Sequence, residues 1–322
     1  MWRIIGLVLA LIAPGLMSQA SASDDYPSKP VRIIVPYAAG GPADILARLI
    51  GQKMSDDLGQ QFIVDNRPGA GGSIGATQVA RSPADGYTLL VAPVGVIAIN
   101  PWIYANLSYD PLRDFEPVTL LAKSPFVLAV NPALPIKTLA DFVAYAKKNP
   151  GHVKVANPGT GTGQHLTSVY FAAEAGIETV QVPYRGSAPG TNDLLAGTVD
   201  AQFDLAPLLP HIAAGKLRAI AVTADHRLPS LPNVPTIAES GFPKFEMEAW
   251  NSLVAPAGTP KAIVDKLQQA VAKAVSDPSV RGKLTGQGYE PGGGKAEATR
   301  TFFKAELDKY KPVVKAANVP VN

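Results

Sequence analysis

VRIIVPYAAGGPAD, residues Val31 to Asp44, decides the fold. Val31, Ile33, Ile34 and Val35 form a short β-branched apolar run, the signature of a strand covered on both faces. Gly40 and Gly41 permit a turn. Pro42 suits the first helical position, where a missing N–H removes no bond. Ile45, Leu46, Leu49, Ile50 and Met54 then recur at helical spacing. The stretch therefore presents a helix N-terminus, with its free N–H groups, at the carboxyl end of a buried strand. That arrangement favours anions.

Upstream, MWRIIGLVLALIAPGLMSQASAS reads as a secretory leader. Arg3 is its positive end, Ile4 to Ile12 its apolar core and Ala20-Ser21-Ala22 its small-residue cleavage signal. Residues 1–22 are expected to be removed after Ala22. The apolar run is short for a membrane anchor. About 300 residues remain, enough for two domains and a large core. The chain has no cysteine, which removes disulfides, thiolate metal sites and cysteine nucleophiles. Its formal charge is +3, with Lys and Arg scattered, so no nucleic-acid footprint is expected.

Downstream, Gln61–Val64 and Tyr87–Ala92 read as strands, with a helix capped by Ser73 between them. The first hundred residues thus alternate strand and helix, with parallel pairing. Val118–Ala122 and Phe126–Val130 are two strands around a first crossing between domains. Leu139–Lys148 is an amphipathic helix. The opening pattern then returns: strand Val153–Ala156, glycine turn Pro158–Gly163, a helix from Gln164, strand Thr179–Val182, turn Tyr184–Gly190, a short helix capped by Thr191 or Asn192, and strand Val199–Leu205. Leu217–Thr223 is a further strand. Arg227–Thr236 is a loop. Phe245–Ala255 carries the return crossing. Pro260–Val275 and Glu297–Ala317 are closing helices, the second broken or kinked at Pro312.

The chemistry is read mainly by exclusion. His152, His165, His211 and His226 show no i, i+3 or i+4 pairing, so no metal site is expected. There is no G-x-S-x-G elbow, dinucleotide fingerprint or P-loop, so neither a cofactor nor catalysis is expected. What remains is backbone donors. The turns at Gly40-Gly41, Thr160–Gly163 and Ser187-Ala188 each lead into a helix. A tight turn needed only for packing explains one of them. Three at equivalent places in an α/β pattern suit a ligand held outside the strands' carboxyl ends. Asp44 is expected to accept from the first turn's N–H groups and is counted among the ligand-binding residues. Asp204, at a strand end, either faces the cleft or is a solvated strand terminus.

YPSKPVRIIVPYAAGGPADILAR, VDNRPGAGGSIGA, ADGYTLL, GTGTGQHL, VPYRGSAP, DLLAGTVD, LRAIAVT, LPNVPT and APAGTP, in order from Tyr26 to Ala317, resemble the Bug-type receptors of tripartite tricarboxylate transporters. The resemblance implies an α/β two-domain periplasmic binding protein of type II, a Venus flytrap of mixed sheets with flanking helices and two interdomain crossings. Domain 1 would be residues 23–123 with 249–322, and domain 2 residues 124–248. It implies a periplasmic monomer that closes on a small carboxylate (a di- or tricarboxylate, acidic amino acid or aromatic carboxylate). That ligand would pass to the membrane components of such a transporter, without catalysis. A receptor presenting its closed form to a membrane sensor kinase would use the same site. Carried over by motif, the ligand contacts are Tyr37, Ala38, Ala39, Gly41 and Gly95 on one side, and Thr160, Gly161, Thr162, His165, Arg185, Gly186, Ser187, Ala188 and Asp204 on the other. Relative to the family pattern, Tyr37 stands for Phe, Ala43 for Thr and Arg185 for Lys. These departures bear on which carboxylate is bound.

Overall fold

A computed structural model describes residues 25–317. The leader and its cleavage point lie outside the described residues. In chain order the elements are β1 (Val31–Val35), α1 (Pro42–Leu58), β2 (Phe62–Asn66), α2 (Ser73–Ala80), β3 (Thr88–Pro93), α3 (Asn100–Ile103), β4 (Phe115–Pro125), β5 (Val127–Val130), α4 (Leu139–Lys148), β6 (Val153–Asn157), α5 (Gly163–Ala175), β7 (Thr179–Pro183), α6 (Ser187–Ala196), β8 (Ala201–Asp204), α7 (Leu209–Ala213), β9 (Arg218–Val222), β10 (Glu248–Pro256), α8 (Lys261–Ser276), α9 (Pro278–Gly286), β11 (Glu290–Pro291) and α10 (Ala296–Ala316). A turn of 3-10 helix at Ala70–Gly72 precedes α2, and a π-helical turn at Gly95–Ile99 precedes α3.

Two mixed sheets result, in the orders β11-β4-β10-β3-β1-β2 and β7-β6-β8-β5-β9. In the first, β1 pairs parallel with β2 and β3, and β10 runs antiparallel to β3. In the second, β6 pairs parallel with β7 and β8, and β5 runs antiparallel to β8. The repeated pattern is thus a shared topology: β2-β1-β3-β10 matches β7-β6-β8-β5. The chain leaves the first sheet between Pro125 and Val127 and returns between Val222 and Glu248.

β1 shows why its run is continuously apolar. Val31, Ile33 and Val35 pack in one core with Leu46, Ile50 and Met54 of α1 and Leu267 and Val271 of α8. Ile34 faces the other way, toward Ala76 and Val79 of α2. Successive side chains alternate faces, and helices cover both. The second sheet is centred on Leu128, Val155 and Phe203, with Phe142 and Phe171 from α4 and α5.

Three local expectations are corrected, and one helix, α9, is added to them. Ser73 is the first residue of α2 rather than its cap; Gly72, at φ 93°, takes the cap position, and Ser73 Oγ accepts from Asn100 Nδ2 at 3.1 Å. α6 begins at Ser187 after Gly186, so Thr191 and Asn192 lie inside the helix, and Thr191 Oγ1 donates to Ser187 O. Pro312 does not end α10, whose packing through Tyr310 and Val314 carries the helix past the missing N–H. α9 had no counterpart in the sequence reading; Asp277 caps it through Ser279 N and Val280 N.

Candidate functional site

The turn after β1 is braced from within. Asp44 Oδ2 accepts from Gly40 N and Arg48 Nε, and Asp44 Oδ1 accepts from Asn66 Nδ2, each at 3.0 Å. Asn66 Nδ2 also donates to Tyr37 O, tying both ends of the turn to β2. Burial alone would raise the Asp44 carboxyl, but the hydrogen bonds from Arg48, Gly40 and Asn66 and the Arg48 charge outweigh it and hold it below its ordinary value. Asp44 is therefore the brace of the turn, as its expected acceptance from the turn's N–H implies. Its lone pairs are already engaged. Gly41 caps α1 with no side-chain bond, and Pro42 takes the first helical position. The first-turn N–H groups of Ala43 and Asp44 have no intrahelical partner. Ala38 is half-buried, and Ala39 lies exposed at the rim.

Across from it, α6 aims its own N-terminus at that turn. A Cβ built on Gly186 would fall 2.8 Å from Ala38 Cβ; one on Gly40 would fall 3.7 Å from Ala188 Cβ, and one on Gly41 3.7 Å from Ser187 Oγ. Gly186 sits at φ 111°, so both conformation and space require glycine there. Two positive helix ends thus face each other at side-chain distance, an arrangement that an intervening anion stabilises.

α5 supplies a third end. Thr162 Oγ1 accepts from His165 N at 3.2 Å and donates to Gly159 O, while Thr162 N bonds Gly159 O. Its hydroxyl and N–H are therefore engaged in forming the turn. Gly161 backs onto Gly95: a Cβ on Gly95 would lie 2.6 Å from Gly161 O and 2.7 Å from Tyr37 OH. Gly95 is thus a point of near contact between the two halves.

The buried side chains here leave polar atoms without partners. Tyr37 OH, Ser187 Oγ and His165 Nδ1 find no hydrogen-bond partner among the described residues. Buried polar atoms are normally satisfied, so such a cluster calls for an occupant. Burial pushes the His165 imidazole down to about 4, keeping it neutral. No Lys or Arg among the described residues is buried. The nook therefore holds neutral donors and helix ends rather than formal cations.

Asp204 is fully buried at the end of β8, which rules out a solvated strand terminus. It accepts from Leu205 N at 2.9 Å, Gln202 Nε2 at 3.3 Å and Gln164 Nε2 at 3.5 Å. Burial raises its carboxyl above the ordinary value; the Ser187 hydroxyl beside it, Leu205 N and the two glutamines only temper the rise. Tyr289, whose OH donates to Pro42 O at 3.4 Å, stands close enough to feel its charge.

Outward from the nook, a cavity of about 730 Å³ opens between the halves. Tyr37, Ala38, Pro68, the Gly69–Gly72 loop, Ile74 and Tyr104 line one side, and Pro158–Thr160, Tyr184, Arg185 and Gly186 the other. Of the predicted residues, Tyr37, Ala38, Thr160, Arg185 and Gly186 line it. Gly41, Gly95, Gly161, Thr162, His165, Ser187 and Asp204 lie buried behind it.

Sequence reasoning missed three residues here. Asn100 is fully buried; its Nδ2 donates to Gly71 O, Ser73 Oγ and Tyr109 OH, while its Oδ1 stays unpaired near Gly161. Tyr104 OH donates across the cleft to Thr160 O at 3.4 Å. Tyr289 comes from the far end of the chain. None carries a local signal; only the Gly69–Gly75 cluster hinted that the chain returns here.

Comparison with known proteins agrees with this geometry. The sequence profile of the "Tripartite tricarboxylate transporter family receptor" matches residues 46–319. BugT of Bordetella pertussis is 35% identical over 317 residues, covering 98% of this chain and 97% of that one. Rpa4515 of R. palustris, solved with adipate, is 39% identical with a TM-score of 0.89, covering 91% of this chain and 99% of that one. MatC (Rpa3494) from Rhodopseudomonas palustris, solved with bound malate, is 33% identical with a TM-score of 0.86, covering 90% and 100%. BugD, a periplasmic binding protein, is 36% identical with a TM-score of 0.88, covering 92% and 99%. The chain belongs to the receptor family of the tripartite tricarboxylate transporters, a family of periplasmic solute-binding proteins rather than enzymes.

Proposed function

We propose that this chain captures a small carboxylate between its two halves and delivers it to the membrane components of a tripartite tricarboxylate transporter. The observation that carries the reading is the approach of the α1 and α6 N-termini, Gly41 to Ser187, with the Ser187 hydroxyl unpaired between them. Each helix end contributes ~0.3–1 kcal/mol toward an anion, up to ~2 when partly buried. Several ends with the Tyr37 and Ser187 hydroxyls approach the roughly 8 kcal/mol of micromolar binding. Neutral dipoles also avoid the desolvation of a buried cation. The adipate and malate of the related structures support the same ligand class. The two lobes divide at the passages between sheets, after Pro125 and before Glu248, and rotate about them; the ligand favours closure because it touches both. The receptor acts as a monomer in the periplasm.

A thermal-shift screen of di-, tri- and aromatic carboxylates with acidic amino acids tests the ligand class: at least one stabilises the protein by mass action. A flat response across the panel refutes it. Gly95→Ala sharpens the test. A methyl there meets Gly161 O while the backbone of Gly95 stays outside the left-handed region, so the fold persists and the halves are held apart. Overpacking of ~1–3 kcal/mol predicts affinity lower by up to about a hundredfold in calorimetry.

A further inference from the structure

The two halves also meet directly, protein against protein, at the tip of the turn before α5. Thr160 and Gly161 form that tip, and the first half receives them on several sides. The Tyr104 hydroxyl donates to Thr160 O at 3.4 Å. Gly71 lies against the same oxygen: a Cβ built there would fall 2.5 Å from Thr160 O and 3.0 Å from Tyr104 OH. Asn100 Oδ1, buried and without a partner, faces Gly161, where a Cβ would fall 2.6 Å from it and 2.9 Å from Ile103 Cδ1. Gly95 closes the other side, its Cβ position 2.6 Å from Gly161 O. No methyl group would fit at Gly71, Gly95 or Gly161, so the approach is backbone to backbone. Asn100 is fixed from behind, because its Nδ2 donates to Gly71 O, Ser73 Oγ and Tyr109 OH. The receiving loop is also strained. Gly69, Gly71 and Gly72 all have positive φ, and Ala70 between them, at φ 45°, is the one non-glycine with positive φ among the described residues. A side chain in that region costs energy and persists where surrounding contacts over-determine it, as at clamps and switches.

We propose that this socket is a closure latch: the Thr160–Gly161 tip of the second lobe seats among Gly71, Asn100 and Tyr104 of the first, and Asn100 and Tyr104 are positioning residues that set how readily the lobes close. The inference rests on the carboxylate reading above only in taking the closed form as the one that holds the ligand. The latch joins protein to protein, so it forms with or without a ligand and gives the empty receptor a closed population. The apparent dissociation constant of any ligand is the intrinsic one divided by that population. The latch therefore multiplies the affinity for every ligand by a common factor, while the nook decides which ligand is held. Its contacts are one long hydroxyl bond and close backbone approaches, weak enough for the lobes to reopen.

Distances between the lobes in the ligand-free protein provide the test. The chain has no cysteine, so spin labels go only to Lys147→Cys on α4 and Ala262→Cys on α8, both exposed and one in each lobe. The shorter of the distances is populated without ligand, and it loses population in Tyr104→Phe, which keeps the ring, and in Gly71→Ala, whose methyl meets Thr160 O. Calorimetry with the acids that bind then shows affinity lowered roughly threefold by Tyr104→Phe and roughly tenfold by Gly71→Ala, by the same factor for each acid. Tyr104 is half-buried and the variant loses only a hydroxyl, so Tyr104→Phe folds whatever becomes of Gly71→Ala. Ligand-free distances that are the same in wild type and Tyr104→Phe, or an affinity loss confined to some acids, overturn the latch and leave carboxylate binding intact. If no acid of the wider screen binds, the carboxylate reading fails, and the ligand-free distances still decide the latch.

Discussion

Two buried aspartates, one in each half, sit within reach of the same nook and behave in opposite ways. Asp44 is surrounded by donors: the Gly40 N–H, the Arg48 guanidinium and Asn66 hold its charge, and in return it fixes the first turn. Asp204 has no cation beside it; two glutamine amides and one N–H are its partners, and burial pushes its carboxyl up. A carboxylate with several charge-assisted donors stays ionised even where water is excluded, whereas burial without a cation favours the protonated form. The first half therefore offers the ligand a rigid turn set by an ionised brace. The second offers a buried carboxyl without a cation, with the Ser187 hydroxyl beside it.

Removing the brace is the strongest way to break this contrast. Asp44→Asn deletes charge-assisted bonds and should lower stability by ~1.5–3 kcal/mol near neutral pH, measured by denaturant unfolding. The sign with pH follows from the lowered carboxyl. Its stabilisation is complete above the unfolded value of about 3.9 and is lost as pH falls through the lower folded value, so wild type and variant converge in strong acid. A difference that persists unchanged there would show that the charge is not what braces the turn.

Asp204→Asn probes the opposite case. With its folded carboxyl raised, the native state holds a proton that the unfolded state releases above about pH 4, so Asp204 lowers stability as pH rises through that window. The Asn variant should lose less stability than wild type as pH rises above about 4, read from parallel melts. Equal pH slopes would erase the contrast between the two acids.

The smallest effect is expected at Ser187. Ser187→Ala removes a hydroxyl that lies beside the Asp204 carboxyl without a well-formed hydrogen bond, so stability should change little, while carboxylate affinity falls by about 1 kcal/mol, roughly fivefold. A stability loss without an affinity loss would place Ser187 in the scaffold with Asp44 instead.

How much of this was legible depended on how local the cause is. β1, α1 and α4 follow from residue spacing and from caps a few positions apart, such as the Thr138–Asp141 capping box. The Ser187 turn was visible as a turn, but its helix was placed late because Thr191 and Asn192 are better intrinsic caps than Gly186. There the packing of Gly186 against Ala38 prevailed over propensity. Thr162 was recognised as polar and near the site; that its hydroxyl would be engaged as a cap could not be known before α5 was placed. Asn100, Tyr104 and Tyr289 enter from segments with no motif, because long-range contact leaves no periodic trace in the chain.

By itself the sequence determined the α/β alternation, the helix ends behind glycine turns and the absence of cysteine chemistry, because strand runs, capping residues and side-chain inventory act over a few neighbouring positions. Only the tertiary structure decided that α1 and α6 point at each other, that Asp204 is sealed away from both water and cations, and that Arg185 lines the cavity between the halves. Those properties depend on which distant segments meet, and burial and partnering are settled only when they do.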